Sequence, residues 1–162
     1  MIDVVADTSP LQYLYQLGLL DLLPRLFGSV LVPKAVVREL AVGRAQGGDL
    51  PDPAGLEWAV VQSVEISPEL DAFGQGEREA LSLALNRPGT LAILDDRAAR
   101  RAAQDLGVSM TGTAGVLLRA KKASLVEEVS PLLERLALTG FRLDAVTRRE
   151  LLELAGELET GA

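Results

Sequence analysis

The stretch Val4-Val5-Ala6-Asp7-Thr8-Ser9-Pro10 (residues 4–10) decides the fold prediction for this chain. Consecutive apolar residues are typical of a strand that is buried on both faces, as the strands of a parallel sheet are. Pro10 favours the start of a helix, with Thr8 or Ser9 as its cap. The carboxylate of Asp7 therefore stands between a strand and the helix that follows it. In open α/β sheets, ligands bind beyond the carboxyl ends of the strands.

A second apolar run, Leu91-Ala92-Ile93-Leu94, also ends in carboxylates, those of Asp95 and Asp96. Glu39 and Glu77 lie between the two runs, in segments whose pattern predicts helices. A group of carboxylates repels itself unless a hard divalent cation joins it, and Mg²⁺ and Mn²⁺ prefer oxygen ligands. The acidic residues therefore predict a metal-dependent enzyme.

Composition narrows the possible chemistry. The 162 residues suit one compact domain. The chain has no Cys, which removes disulfides and thiolate zinc sites, and no His, which removes Ser-His-Asp, Cys-His and histidine acid–base mechanisms. A net charge of −7 argues against a protein that covers nucleic acid broadly and without sequence preference. No basic leader precedes the first strand and every apolar run is too short for a membrane helix, so a cytoplasmic protein without membrane contact is expected.

Strands and helices alternate along most of the chain, which predicts an α/β fold with a parallel sheet covered on both faces. A loop is expected at 43–55, and 71–86 combines a Gly-flanked turn with a helix. Strands are predicted at 2–6, 29–32, 58–64, 90–94 and 108–110, and helices from Pro10 to near Gly18 and at 19–27, 34–42, 97–106, 114–123, 126–139 and 143–158.

Six stretches carry a resemblance to a known family: VADTSPL (5–11), GLLDLLP (18–24), VPKAVVREL (32–40), GEREAL (76–81), LDDRAARR (94–101) and TGTAGVLL (111–118). Each pattern alone is common, but together and in this order they resemble the PIN-domain ribonucleases, in particular the branch of VapC-like or DUF3368 proteins. The resemblance implies a PIN-like three-layer α/β/α sandwich. It covers roughly residues 2–125, so residues 1–125 are expected to form the catalytic domain. Residues 126–162 are expected to form a helical segment packed on that domain or extending it.

The resemblance also implies an acidic pocket that binds one or two Mg²⁺ or Mn²⁺ ions and cleaves RNA. By motif position, Asp7 would be the central ligand. Its partners in metal binding and catalysis would be Glu39, Glu77 and one of Asp95 and Asp96. Glu79 is an alternative to Glu77, which is favoured because it lies at a helix N-terminus beside glycines; between the two aspartates no choice is made.

Substrate contacts are expected from hydroxyl and guanidinium groups near this pocket. The hydroxyls of Thr8, Ser9, Thr111 or Thr113 could orient a water molecule or a phosphate. Arg97, the first of three arginines that follow the acidic pair, could hold the RNA backbone. The resemblance further implies that the chain is the toxin of a toxin–antitoxin pair, a homodimer whose acidic groove an antitoxin segment fills.

Other interpretations of the same residues stay open. Taken singly, Asp7, Asp95 and Asp96 could be helix caps, and Glu39 and Glu77 could be solvated charges or complements to a helix dipole. The chain could then be a non-catalytic PIN-like binding module. An Asp-based phosphoryl-transfer enzyme is less consistent with the sequence, because Ser9 stands where a second Asp would be needed.

Overall fold

A computed structural model describes residues 2–158 of the chain. Five short strands form one sheet in which every pair of neighbours is parallel, in the order β3-β2-β1-β4-β5. The strands are β1 Val4–Ala6, β2 Val30–Pro33, β3 Ala59–Gln62, β4 Leu91–Ile93 and β5 Ser109–Thr111.

Eight α-helices connect and cover the strands. They are α1 Thr8–Gln16, α2 Leu22–Phe27, α3 Lys34–Ala45, α4 Gln75–Asn86, α5 Arg97–Asp105, α6 Thr113–Lys122, α7 Ser130–Leu138 and α8 Ala145–Leu154. Single 3₁₀ turns at Pro53–Gly55 and Pro68–Leu70 precede β3 and α4. Within residues 2–158, no helix is both long and apolar enough to cross a membrane.

The side chains of the central strands alternate between two hydrophobic clusters, as the period of two along a strand requires. Val4 and Ala6 of β1 belong to one cluster, which α1, α2, α3, α6, α7 and α8 cover. Val5 belongs to the other cluster, which α4 and α5 cover. Because both faces of the sheet are buried, the strands read as continuous apolar runs. The α/β/α layers and the parallel sheet expected from the sequence are confirmed.

The strand order places a topological switch point between β1 and β4. From β1 the chain builds β2 and β3 on one side, and then crosses to β4 and β5 on the other side. Ala6 pairs with Ile93 at the carboxyl ends of the two strands, and the Asp7 N–H donates to the Ile93 carbonyl at 3.2 Å. Ligand crevices of open α/β sheets lie at such points. Asp7 therefore occupies the position that this topology favours for a site.

The C-terminal helices lie on the same hydrophobic cluster as α1 and α2, through side chains that include Leu133 and Leu152. Glu157, after α8, accepts hydrogen bonds from the N–H groups of Val129 and Ser130 at 2.7 and 2.8 Å, and pairs with Lys121 at 3.0 Å. Burial alone would raise the pKa of Glu157, but these hydrogen bonds and the ammonium group hold it below its usual range. Glu157 therefore caps the start of α7.

Several predicted boundaries are wrong for local reasons. Helix α1 begins at Thr8, so its cap position is Asp7 rather than Thr8 or Ser9, and Pro10 lies within the first turn. Helix α3 continues through Gly43 to Ala45, which shortens the predicted loop. The last helix ends at Leu154, because Gly156 takes a φ of +71° that ends a helix. Residues 159–162, the last four positions of the predicted helical segment 126–162, lie outside the described residues.

Candidate active site

Asp7 is the most buried carboxylate of the predicted set, with 4% of its surface exposed. It occupies the cap position of α1 without a side-chain capping bond, and its Oδ1 has no hydrogen-bond partner among residues 2–158. Burial raises the pKa of Asp7 to about 7; the Thr8 N–H lowers it, and the charges of Glu77, Glu39 and Asp95 raise it further. A buried carboxylate oxygen without a hydrogen-bond partner destabilises the folded chain, so Asp7 Oδ1 is a candidate ligand atom.

Glu39 reaches Asp7 from helix α3. Its Oε1 accepts a hydrogen bond from the Gly76 N–H at 2.9 Å, and its Oε2 accepts one from the Thr8 hydroxyl. A Cβ added to Gly76 would lie 2.7 Å from Glu39 Oε2 and 3.0 Å from Asp7 Oδ1. The two carboxylates are thus neighbours, and they fill the space that a side chain at position 76 would need.

Of the two glutamates at the start of α4, Glu77 lies near Asp7. It stands in the first turn with Oε2 folded back to within 2.7 Å of the place where a Cβ of Gly74 would be. Glu79 is buried elsewhere: it accepts a hydrogen bond from the Ala35 N–H at 3.1 Å and pairs with Arg38 at 3.4 Å. Glu79 therefore caps α3. It lies two residues after Glu77, so its side chain leaves α4 from a different face of the helix.

The two aspartates after β4 also differ. Asp96 is exposed and caps α5, accepting a hydrogen bond from the Ala99 N–H at 2.8 Å. Asp95 turns toward the site, where its oxygens accept hydrogen bonds from the Thr113 N–H at 2.8 Å and the Thr113 hydroxyl at 2.6 Å. Burial raises the pKa of Asp95, while Thr113 and the charge of Arg100 lower it in part.

The five predicted substrate contacts have different surroundings. Thr8 holds Glu39 and Thr113 holds Asp95, so both hydroxyls position carboxylates. Thr111 is buried, and its hydroxyl lies against Gly115 of α6. Ser9 is half-buried in the first turn of α1. Arg97 is exposed at the start of α5, on the wall of a cleft beyond Asp95.

Tyr13 of α1 is a neighbour of the site that the sequence did not indicate. Its ring packs edge-on against Phe141 at 5.1 Å between centroids, and burial followed by the charge of Asp95 raises the pKa of its hydroxyl. Only the pairing of distant segments brings Tyr13 here, so no local pattern could have identified it.

The candidate ligand atoms at this site are all carboxylate oxygens, which are the ligands that a hard divalent cation prefers. One of them, Asp7 Oδ1, is buried and has no hydrogen-bond partner among the described residues. Among residues 2–158, however, no three acidic side chains stand close enough together to hold one ion as they are arranged. In this arrangement Thr113 donates hydrogen bonds to both oxygens of Asp95, and Glu77 Oε2 is folded back over Gly74.

The parallel sheet, its two helical layers and the acidic cluster at the switch point define an α/β domain built around a carboxylate site. The chain belongs to the PIN-domain family DUF3368, whose model matches residues 3–157. The resemblance found in the sequence is thereby confirmed. The family match also runs on past residue 125 through the C-terminal helices, while the predicted division at that residue stays a prediction. No curated protein and no solved structure matches the chain.

Proposed function

We propose that this protein is a metal-dependent endoribonuclease that cleaves RNA phosphodiester bonds at the acidic cluster, with Mg²⁺ or Mn²⁺ as cofactor. The observation that carries the proposal is Asp7 Oδ1, a buried oxygen without a hydrogen-bond partner in the described chain, at the switch point and beside Glu39. Membership of the PIN-domain family supports the same chemistry.

Asp7, Glu39, Glu77 and Asp95 are the residues that would hold the cation, whereas Asp96 is already used as a cap. When bound, the cation supplies a water of lowered pKa and neutralises charge on the phosphate, so that no histidine is needed. Without it, Asp7 takes up a proton near neutral pH, because burial and its acidic neighbours disfavour its charged form.

The remaining polar residues support this arrangement. The Thr8 hydroxyl and the Gly76 N–H hold both oxygens of Glu39, and Thr113 holds both oxygens of Asp95. These bonds fix the carboxylates before substrate arrives, which lowers the reorganisation that a reaction requires. Thr8 and Thr113 are therefore proposed as positioning residues. Ser9 and Arg97 are proposed as the residues that contact RNA.

The finer parts of the proposal rest on the family resemblance. We propose a cytoplasmic toxin of a toxin–antitoxin pair that acts as a homodimer and is inhibited by an antitoxin protein. Asp-based phosphoryl transfer gains no support, since Ser9 lies within α1 two residues after Asp7 and the family is that of PIN domains.

The test is cleavage of a labelled RNA by the wild type, Asp7→Asn and Asp96→Asn, with Mg²⁺ or Mn²⁺ and with EDTA. We expect the wild type and Asp96→Asn to cleave only with metal and Asp7→Asn to be inactive while folded. Asp96→Asn is the matched control, since it removes an equal charge one residue from Asp95. Cleavage by Asp7→Asn, or cleavage unaffected by EDTA, would rule out the metal mechanism.

A non-catalytic binding module is the second candidate. It is favoured by one observation, that no three acidic side chains within residues 2–158 are arranged to hold an ion. This alternative predicts binding of RNA or protein without metal-dependent cleavage. The same cleavage assay therefore separates the two functions.

A further inference from the structure

We propose that the C-terminal segment builds one wall of the substrate cleft, and that this cleft binds the phosphate backbone of single-stranded RNA. The proposal rests on the ribonuclease function proposed above, and names where the substrate lies. It concerns residues beyond position 125, which the sequence alone left without a function.

The cleft has a volume of about 730 Å³ and lies between the start of α5 and the α7–α8 region. Arg97 and Arg100 of α5 line one side, and Arg142 and Arg148 of the C-terminal segment line the other. Asp95 also lines the cleft. A cavity of this size can hold a small ligand or part of a polymer chain.

The charge of the cleft is opposite to that of the whole molecule. Four guanidinium groups face two carboxylates there, Asp95 and Asp144, although the chain carries a net charge of −7. Within residues 2–158, neither Arg142 nor Arg148 takes part in a salt bridge. Guanidinium groups bind phosphate through paired hydrogen bonds, so this local charge is complementary to a nucleic-acid backbone.

The cleft is continuous with the acidic cluster. A Cβ added to Gly112 would lie 2.9 Å from both Arg100 Nη1 and Asp95 Oδ1, so a cleft arginine and a site carboxylate are direct neighbours. Tyr13, in the helix whose cap position is Asp7, packs against Phe141 of the cleft. A strand held by the arginines would therefore lead toward Asp7.

Apolar surface from Phe141 and Leu143 accompanies the arginines. Proteins that bind single strands combine basic grooves with apolar and aromatic surface for the bases. An acidic peptide could also use such a cleft. Its continuity with a site proposed to cleave phosphodiesters favours RNA.

The test is fluorescence anisotropy with a labelled single-stranded RNA of about 12 nucleotides, in EDTA so that cleavage is absent. The cleft variant is Arg142→Gln with Arg148→Gln. The control is Arg101→Gln with Arg149→Gln, which removes the same charge from exposed arginines outside the cleft. Thermal unfolding of both variants checks that they are folded.

We expect the cleft variant to bind RNA at least about tenfold more weakly than the wild type. The slope of its log Kd against the logarithm of the salt concentration should be smaller by about 1.4, because two phosphate contacts are lost. The control should bind as the wild type does. Equal affinity in the cleft variant, or equal weakening in both variants, would overturn the proposal. Loss of binding to a labelled acidic peptide, without loss of RNA binding, would also overturn it and identify a protein interface.

Failure of this proposal and failure of the ribonuclease proposal give different results. If the wild type cleaves RNA but the cleft variant binds RNA normally, only the cleft assignment fails. If the wild type never cleaves RNA while binding still depends on Arg142 and Arg148, the cleft stands and the ribonuclease function fails.

Discussion

Asp7, directly after β1, and Glu39, in α3, approach the same point. Asp7 Oδ1 lies 3.0 Å and Glu39 Oε2 lies 2.7 Å from the position that a Cβ on Gly76 would take. A side chain at position 76 would have to displace one carboxylate or both. The backbone of Gly76 also donates the hydrogen bond that holds Glu39. The absence of a side chain at this position therefore keeps the acidic cluster together.

The first prediction concerns this glycine. Gly76→Ala should lower RNA cleavage by about tenfold or more, because it moves the carboxylates that are proposed to bind the cation. Gly55→Ala is the control, since a Cβ there meets nothing within 4 Å. Initial cleavage rates and thermal unfolding of both variants are the measurements. Full activity in a folded Gly76→Ala protein would contradict the proposed site.

The pH dependence of stability should reveal the burial of Asp7. Its folded pKa, about 7, lies above its ordinary value of 3.8, so the charged form destabilises the folded protein above pH 7. This cost, at most about 4 kcal/mol, should fall as pH decreases from 7 and vanish below about 3.8. In EDTA, Asp7→Asn should therefore be more stable than the wild type at pH 8.

Denaturant unfolding at pH 8 and pH 5 measures this effect. The stability difference between Asp7→Asn and the wild type should shrink at pH 5. A difference that is the same at both pH values would show that the Asp7 carboxyl is not perturbed.

Metal binding should reverse the destabilisation at Asp7. Adding Mn²⁺ at a hundred times its Kd should stabilise the wild type by about 2.7 kcal/mol, because the ion binds only the folded chain. Asp96→Asn should respond in the same way, and Asp7→Asn should not. Calorimetric titration and thermal unfolding give independent measures, and an equal response of all three proteins would place the ion elsewhere.

Glu77 and Glu79 should differ in what their loss affects. Glu79→Ala leaves the buried Ala35 N–H without its acceptor and should cost about 1–3 kcal/mol of stability. Glu77→Ala should leave stability nearly unchanged and should lower cleavage. Unfolding curves and cleavage rates of the two variants, compared directly, test the assignment. The reverse pattern would exchange the two roles.

Glu157 should stabilise the fold in a pH-dependent way. Its folded pKa lies below its usual value of 4.5, so its contribution is present above that pH and is lost as pH falls through the folded pKa. Glu157→Gln should therefore be less stable than the wild type at pH 7 and should approach it under strongly acidic conditions. Thermal unfolding across this range is the measurement, and a constant difference would argue against an ionised cap.

The fold could be predicted from the sequence because its signals are local. Apolar runs such as Val4-Val5-Ala6 predict buried strands, and their spacing by helical segments predicts parallel pairing. The strand order was not predicted, since it depends on packing between distant segments. Errors at helix ends, as at Thr8 and Leu154, arise because several residues can serve as caps or terminators.

The sequence predicted only part of the acidic cluster, because the cluster too depends on contacts between distant segments. The choices between Glu77 and Glu79 and between Asp95 and Asp96 depend on hydrogen-bond donors such as Ala35 and Thr113, which are supplied from other helices. The wall contributed by the C-terminal segment was not predicted at all, because its arginines lie more than forty residues from those of α5.

The cap that Glu157 places on α7 has a practical consequence for protein engineering. This carboxylate binds the Val129 and Ser130 N–H groups and the Lys121 ammonium group. Chains shortened before position 157 would therefore lose the contacts that join the end of α8 to α6 and α7. Truncations and fusions should therefore leave Glu157 in place. A residue outside the helices can, as in this protein, hold together the helices that precede it.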